Sequence, residues 1–274
     1  MFVLIFSCAV IADPVEQGLH LQSVPATPQK VALVIGNSAY RSVQPTLKNP
    51  INDATDMARE LGLLGFRVLL LRNATLPDMQ KKVAEFANLL THAKVGLVYF
   101  AGHGLQSDGV NYLVPVDARL ASSSNIPNET LSAQDIFERM ANSPTKLNIV
   151  ILDACRNNPD RDIGVTRNAL LTTGLAKPAS PLRDGFLAFA TAPGQLAADG
   201  LGRNGAYTGQ LLKFIKKPDL DLPTLFNEVG IAVKAATENR QEPWVEHSPL
   251  SERFCFAGCT QPNSQITISV IRNK

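Results

Sequence analysis

The sequence predicts an α/β fold, an open sheet, mostly parallel, flanked by helices on both faces. Short apolar, β-branched runs alternate in order with amphipathic stretches of helical spacing, the pattern of parallel strands joined by crossover helices. The runs are apolar along their whole length, as strands covered on both faces are. The amphipathic stretches begin at capping residues, so their starts are chemically marked.

Val31-Ala-Leu-Val-Ile35 is the first strand, stopped by Gly36-Asn37. Residues 51–64 set Ile51, Met57, Ala58, Leu61 and Leu64 near helical spacing, and Gly65 supplies the C-cap. Phe66–Leu71 is the second strand. Thr75-Leu-Pro-Asp78 is a capping box that starts a helix running to about Leu90. Val95–Phe100 is the third strand and ends at Gly102-His103-Gly104. Leu105–Val116, with Ser107-Asp108-Gly109 at its turn, reads as a hairpin. Ser132-Ala-Gln-Asp135 caps a helix to about Ala141, and Leu147–Leu152 is a fourth strand ending at Asp153-Ala-Cys155.

Residues 156–184 break this rhythm. They spread Arg156, Arg161, Arg167, Lys177 and Arg183 among turn-forming residues, the signature of a long functional or flexible loop. Gly185–Ala190 resumes as a strand. Helices follow over 206–217 and over 222–238, the second begun by Asp221, and Thr267–Ile271 is expected as a final edge strand. The chain thus divides into a signal segment and linker (1–29), a folded domain (30–250) and a C-terminal extension (251–274).

A composition that is 45% hydrophobic and 18% charged belongs to a folded globular chain. The net charge of +2, with no basic stripe interleaved with aromatics, gives no reason to expect nucleic acid as a partner. The first twelve residues are apolar but too few to span a bilayer. Read as a signal ending at Ala12, they send the mature protein to the periplasm or outside the cell; otherwise it stays in the cytoplasm. Of the four cysteines, Cys255 and Cys259 are four positions apart. They suit a small disulfide in an exported protein or two free thiols in a cytosolic one. Cys155 has no neighbour in sequence to pair with.

Residues just past the carboxyl ends of strands in an open α/β sheet line its ligand crevice. Two such positions are His103, flanked by glycines, and Cys155. Together they could form a thiolate–imidazolium pair, a nucleophile that works at neutral pH. His20, His92 and His247 have no comparable setting. Asp153 lies two residues before Cys155, on the same side of a strand. There it would recognise a cation, and it would also raise the thiol's pKa, so the imidazolium has to dominate. Gly200-Leu-Gly202-Arg-Asn-Gly205 matches the spacing of a dinucleotide loop but follows no strand, so that reading is set aside.

Tyr99-Phe-Ala-Gly-His-Gly104 and Asp153-Ala-Cys155 resemble the catalytic motifs of caspase-like cysteine peptidases, and of the metacaspase and bacterial orthocaspase branch most. Val34-Ile-Gly-Asn37, Asn52-Asp53-Ala54, Tyr112-Leu-Val-Pro-Val-Asp117 and Phe189-Ala-Thr-Ala-Pro-Gly-Gln195 extend the resemblance, in the family's order, over residues 30–250. It implies that Cys155 is the nucleophile and His103 the general base and acid. Backbone N–H groups of Gly104 and Cys155 would form the oxyanion hole, and Asp53 and Asp153 would bind a basic P1 side chain. Caspases carry an arginine where this chain has Leu47 and a glutamine where it has Asp153, so cleavage is expected after Arg or Lys of a protein or peptide, not after Asp.

Two departures accompany the match. Ala101 stands where many metacaspases have serine. Ser132-Ala133 replaces an acidic pair used for calcium, so no cofactor is expected, while Asp117, Asp160 and Asp162 remain as alternative calcium ligands. Residues 156–184 occupy the family's processing linker. Two rival readings stand beside the peptidase: a catalytically weak module that binds basic peptides, and a cysteine hydrolase or transferase with a non-peptide substrate. Oligomeric state is not encoded in any of these motifs.

Overall fold

The computed structural model describes residues 29–44, 46–155, 184–192 and 202–260, with Cys155 described through its backbone. The chain runs β1 (Lys30–Gly36), α1 (Pro50–Leu63), β2 (Arg67–Arg72), α2 (Leu76–Leu90), β3 (Val95–Ser107) and β4 (Val110–Leu113). A 3-10 turn (Ser123–Asn125) then leads to α3 (Ile126–Glu129), β5 (Leu131–Ser132), α4 (Ala133–Ala141) and β6 (Leu147–Cys155). β7 (Gly185–Phe189), α5 (Ala206–Phe214), α6 (Leu222–Ala236) and β8 (Trp244–His247) complete the domain. The main sheet has the order β2-β1-β3-β6-β7-β8. All its pairs are parallel except β7 with β8, so the predicted fold class is the observed one.

Side-chain alternation splits the core into two layers. Val31, Leu33 and Ile35 of β1, with Val98, Phe100, Val150 and Leu152, pack against α2 and α4. Ala32 and Val34, with Leu97, Tyr99, Ile149 and Ile151, pack against α1, α5 and α6. Both registers are apolar because both faces are covered. At Gly36 the backbone of α1 comes so close that a Cβ would stand 2.4 Å from the Pro50 carbonyl oxygen. Only glycine lets α1 approach there, and α1 carries Asp53.

The capping chemistry read from the sequence is present. Thr75 and Asp78 form a reciprocal capping box on α2, Ser132 caps α4 through the Asp135 N–H, and Asp221 caps α6 through the Thr224 N–H. The hairpin turn is Asp108-Gly109, both at positive φ (49° and 78°), as a two-residue type I′ turn requires.

The structure differs from expectation at several places. β3 does not stop before the glycine–histidine segment. It continues to Ser107, paired first with β6 and then with β4, because the hairpin extends the same strand. β6 likewise runs through Asp153 to Cys155. β8 was not expected; its four residues are mostly exposed and lack an apolar run. The expected strand at 267–271 and the loop at 156–183 lie outside the described residues. Cys255 and Cys259 form a disulfide. Among the described residues no helix is long and apolar enough to cross a membrane.

Candidate active site

β3 and β6 are neighbours at the centre of the sheet, and their parallel register ends with His103 directly opposite Cys155. Sequence positions 52 residues apart thus become adjacent rungs of one ladder. Asp153 is opposite Ala101, two rungs back toward the body of the sheet. His103 is 3% exposed.

The histidine's main chain is held from the segment after β1. Its N–H donates to the Tyr40 hydroxyl at 2.7 Å, and the two rings lie 4.6 Å apart at centroids. Buried Asn37 stitches the same region together: its side-chain amide donates to the Val114 carbonyl, and its oxygen accepts the Ala74 N–H. Gly102 has φ +155°, and a Cβ there would be 2.5 Å from the Tyr40 hydroxyl. Gly102→Ala is therefore expected to destabilise the fold by about 1–3 kcal/mol. Displacing His103 should also cost about 10²-fold in kcat/KM; a thermal melt and steady-state kinetics read the two effects separately.

Gly104 is placed to donate a hydrogen bond. The Val114 N–H bonds the His103 carbonyl, which puts Gly104 and Leu113 at a non-hydrogen-bonded pair of the hairpin. The Gly104 N–H consequently points away from β4, to the side where β6 ends.

The two aspartates come together at the start of α5. Asp53 lies on the sheet-facing side of α1, four residues before the buried Met57, and is itself 3% exposed. Its carboxylate accepts the Gly205 N–H at 3.0 and 3.3 Å. Asp153 accepts from the Thr208 hydroxyl at 2.6 Å. Thr208 has one proton and spends it on Asp153, so the Tyr99 hydroxyl, 2.5 Å away, must donate to the threonine oxygen. A Cβ on Gly205 would be 3.2 Å from one aspartate's oxygen and 3.5 Å from the other's. Asp53 is buried and Asp153 half-buried, and two carboxylates this close repel each other. The positive end of α5 and these donated hydrogen bonds offset that repulsion. Burial, with the Asp153 charge as a further cause, pushes the Tyr99 and Tyr207 phenols well up, so both stay neutral. The buried Tyr207 hydroxyl has no hydrogen-bond partner among the described residues.

A third acid secures this loop. Arg203 forks onto Asp56 at 2.9 and 3.1 Å, Asn204 adds a bond to the same carboxylate, and Asn52 donates to the Arg203 carbonyl. The bond from Arg203 holds the Asp56 carboxyl below the usual carboxylate range. Because the folded value is depressed, the clamp stabilises the fold above the ordinary carboxylate pKa and is lost as pH falls through the lowered value. Asp56→Asn is expected to raise KM for a basic substrate severalfold at neutral pH while changing kcat little. Its melting-temperature deficit against wild type should close in strong acid.

All five candidate residues thus lie at one end of the sheet. Tyr40, Thr208 and the Arg203–Gly205 loop were not singled out from sequence. The loop's signal was its glycine spacing, set aside as a failed dinucleotide motif; Gly205 is the N-cap of α5 and meets a carboxylate rather than a phosphate. Asp117, a candidate calcium ligand, accepts the Leu76 N–H at 3.0 Å, and residues 160 and 162 lie outside the described residues. Ala101 is buried in the layer beside α1.

Residues 29–255 match the peptidase C14 caspase domain model. The chain is 31% identical over 255 residues to human mucosa-associated lymphoid tissue lymphoma translocation protein 1, covering 91% of this chain but 29% of that protein. It is 26% identical over 217 residues to a probable protease of a Desulfuromonadales bacterium, covering 67% of this chain and 25% of that one. It is 24% identical over 251 residues to mouse caspase-1, covering 83% and 59%. The chain therefore spans less than two thirds of each of these relatives. Among solved structures, the Drosophila initiator caspase Dronc matches with a TM-score of 0.59 at 11% identity, over 93% of this chain and 96% of that one. A Geobacter sulfurreducens protein matches with a TM-score of 0.57 at 18% identity, over 82% and 98%. Both structural matches speak to the fold.

Proposed function

The chain belongs to the caspase domain family of cysteine peptidases, and from that premise we propose that it is an endopeptidase cleaving after Arg or Lys. The observation that carries the reading is the pair of carboxylates, Asp53 and Asp153, gathered at Gly205 two rungs below the His103–Cys155 rung. A P1 guanidinium has five donors in a planar fork and can bridge two carboxylates, which a lysine ammonium does less well. Arginine is therefore preferred to lysine. An acidic P1 side chain would meet two like charges, and the position at which caspases carry arginine is the buried Leu47.

In this mechanism the Cys155 thiolate attacks the scissile carbonyl carbon. The resulting oxyanion accepts hydrogen bonds from the Gly104 and Cys155 N–H groups, a contribution of about 3–4 kcal/mol per donor in comparable sites. The intermediate collapses with cleavage of the C–N bond, and the His103 imidazolium gives its proton to the leaving amine. A thioester remains. His103 then takes a proton from water as it attacks, and the thiolate departs as the carboxylate product is released. Neither step calls on a metal or organic cofactor. The Cys255–Cys259 disulfide supports an oxidising compartment, in keeping with an exported protein.

The test is hydrolysis of matched peptide reporters differing only at P1. Arg is expected to exceed Lys, and both to exceed Asp by at least about 10²-fold. A preference for Asp would overturn the assignment of the acidic pocket.

A further inference from the structure

Beyond β8 the chain follows a definite course. β8 is antiparallel to β7 and ends at His247, opposite Phe186, at the amino-terminal ends of the parallel strands. The chain then passes those ends in turn. At the start of β7, the Ser248 N–H bonds the Gly185 carbonyl and the Ser248 hydroxyl accepts the Gly185 N–H. Ser251 donates to Asp184 at 2.8 Å, and Glu252 pairs at 2.8 Å with Lys146, the residue before β6. Phe256 next lies with its ring 6.1 Å from that of Phe66, the residue before β2, and both are buried. Within a few residues the chain has passed from one edge of the sheet to the entry of the other. The Cys255–Cys259 disulfide and a 2.7 Å bond from the Thr260 hydroxyl to Asp219 pin it there.

β2 is that other edge, and among the described residues no strand pairs with its outer side. Bare edges are ordinarily protected by charge, proline or a bulge within the strand. Between Arg67 and Arg72, β2 holds Val68-Leu69-Leu70-Leu71, and its register with β1 runs without a bulge. Val68 is partly buried against the α1 layer, and Leu70, on the same side of the strand, is 36% exposed. An apolar edge of this kind pairs readily with any strand that reaches it.

The course of the chain identifies the occupant. Past the pinned segment comes Ile266-Thr-Ile-Ser-Val-Ile271, whose β-branched residues alternate apolar with polar as a half-covered strand does. Residues 261–265 separate it from Thr260, and an extended run of that length spans about 20 Å. A helix is about 10–12 Å across with its side chains, so the run is long enough to round the end of α1. We propose that residues 266–271 add to the outer side of β2 as a further strand of the sheet. Arriving at the amino-terminal end of β2, the added strand runs parallel to it. Ile266, Ile268 and Val270 then fall on the side of Val68 and Leu70, and Thr267 and Ser269 on the opposite one. The pairing gives the edge its missing main-chain partners and closes it to other chains.

The test is hydrogen–deuterium exchange read by mass spectrometry on the full chain, on a form ending at Thr260 and on Ile268→Asp, with light scattering to report oligomeric state. Exchange in the peptide over 67–72 is expected to quicken by about tenfold or more in both variants, while the β3 peptide over 95–101 keeps its rate. Dimers formed by the shortened chain alone would also support the proposal, because they mark an edge newly bared. Equal exchange over 67–72 in all three proteins, with no change of oligomeric state, overturns it. Protection in the full chain that falls on dilution as a dimer dissociates assigns the edge to a second copy and overturns it as well. Ile268→Asp keeps the chain length and changes one residue beyond the pinned segment, so it decides should the shortened chain fail to fold.

Discussion

Cys155→Ala is expected to lower kcat/KM on an arginine reporter by about 10⁴-fold or more, with the fold and the affinity for a basic product peptide retained. Alanine leaves no nucleophile, and catalysis then rests on the oxyanion donors and on binding alone. His103→Ala should cost nearly as much. The double variant should cost little beyond either single one, because the two residues act as one unit and their effects do not add. The rung that pairs them makes this expectation specific to positions 103 and 155: no other histidine among the described residues faces the end of β6. Additive losses would mean that the two residues do not share a step.

Asp153→Asn is expected to reduce kcat/KM for an arginine substrate by about 10²-fold or more, largely through KM, while a neutral P1 substrate changes much less. Truncating one partner of a desolvated, hydrogen-bonded charge pair typically costs about 2–5 kcal/mol, mostly because the other charge is left buried and unmatched. The asparagine keeps the shape and still accepts from Thr208, so the loss reports charge rather than collapse of the pocket. Thr208→Val, which withdraws the hydroxyl between Tyr99 and Asp153, should move the same ratio in the same direction. Equal losses on basic and neutral substrates would indicate that Asp153 serves the fold alone.

The sheet and its flanking helices were legible because their causes are local. Apolar runs such as Val31–Ile35 and caps such as Thr75–Asp78 mark elements within a few residues. The ends of β3 and β6 were read too short because glycine, histidine and aspartate weaken strand propensity, while pairing across the sheet overrides it. β8 carries no local signal at all; it exists because β7 offers an edge. His103, Cys155 and Asp153 stood out by their position after apolar runs. Asp53, however, was reached only through resemblance, since nothing in its helix announces a partner 152 residues away at Gly205. Tyr40 and Thr208 owe their roles to tertiary contacts, which a single sequence does not display.

The most direct test of the central claim is covalent capture followed by mass spectrometry of the labelled peptide. A tripeptide electrophile with Arg at P1 should modify Cys155 stoichiometrically, and its Asp counterpart at the same concentration should not. Labelling elsewhere in the chain, or equal labelling of Cys155 by both probes, would contradict a His103-activated nucleophile aimed by Asp53 and Asp153 at cationic side chains.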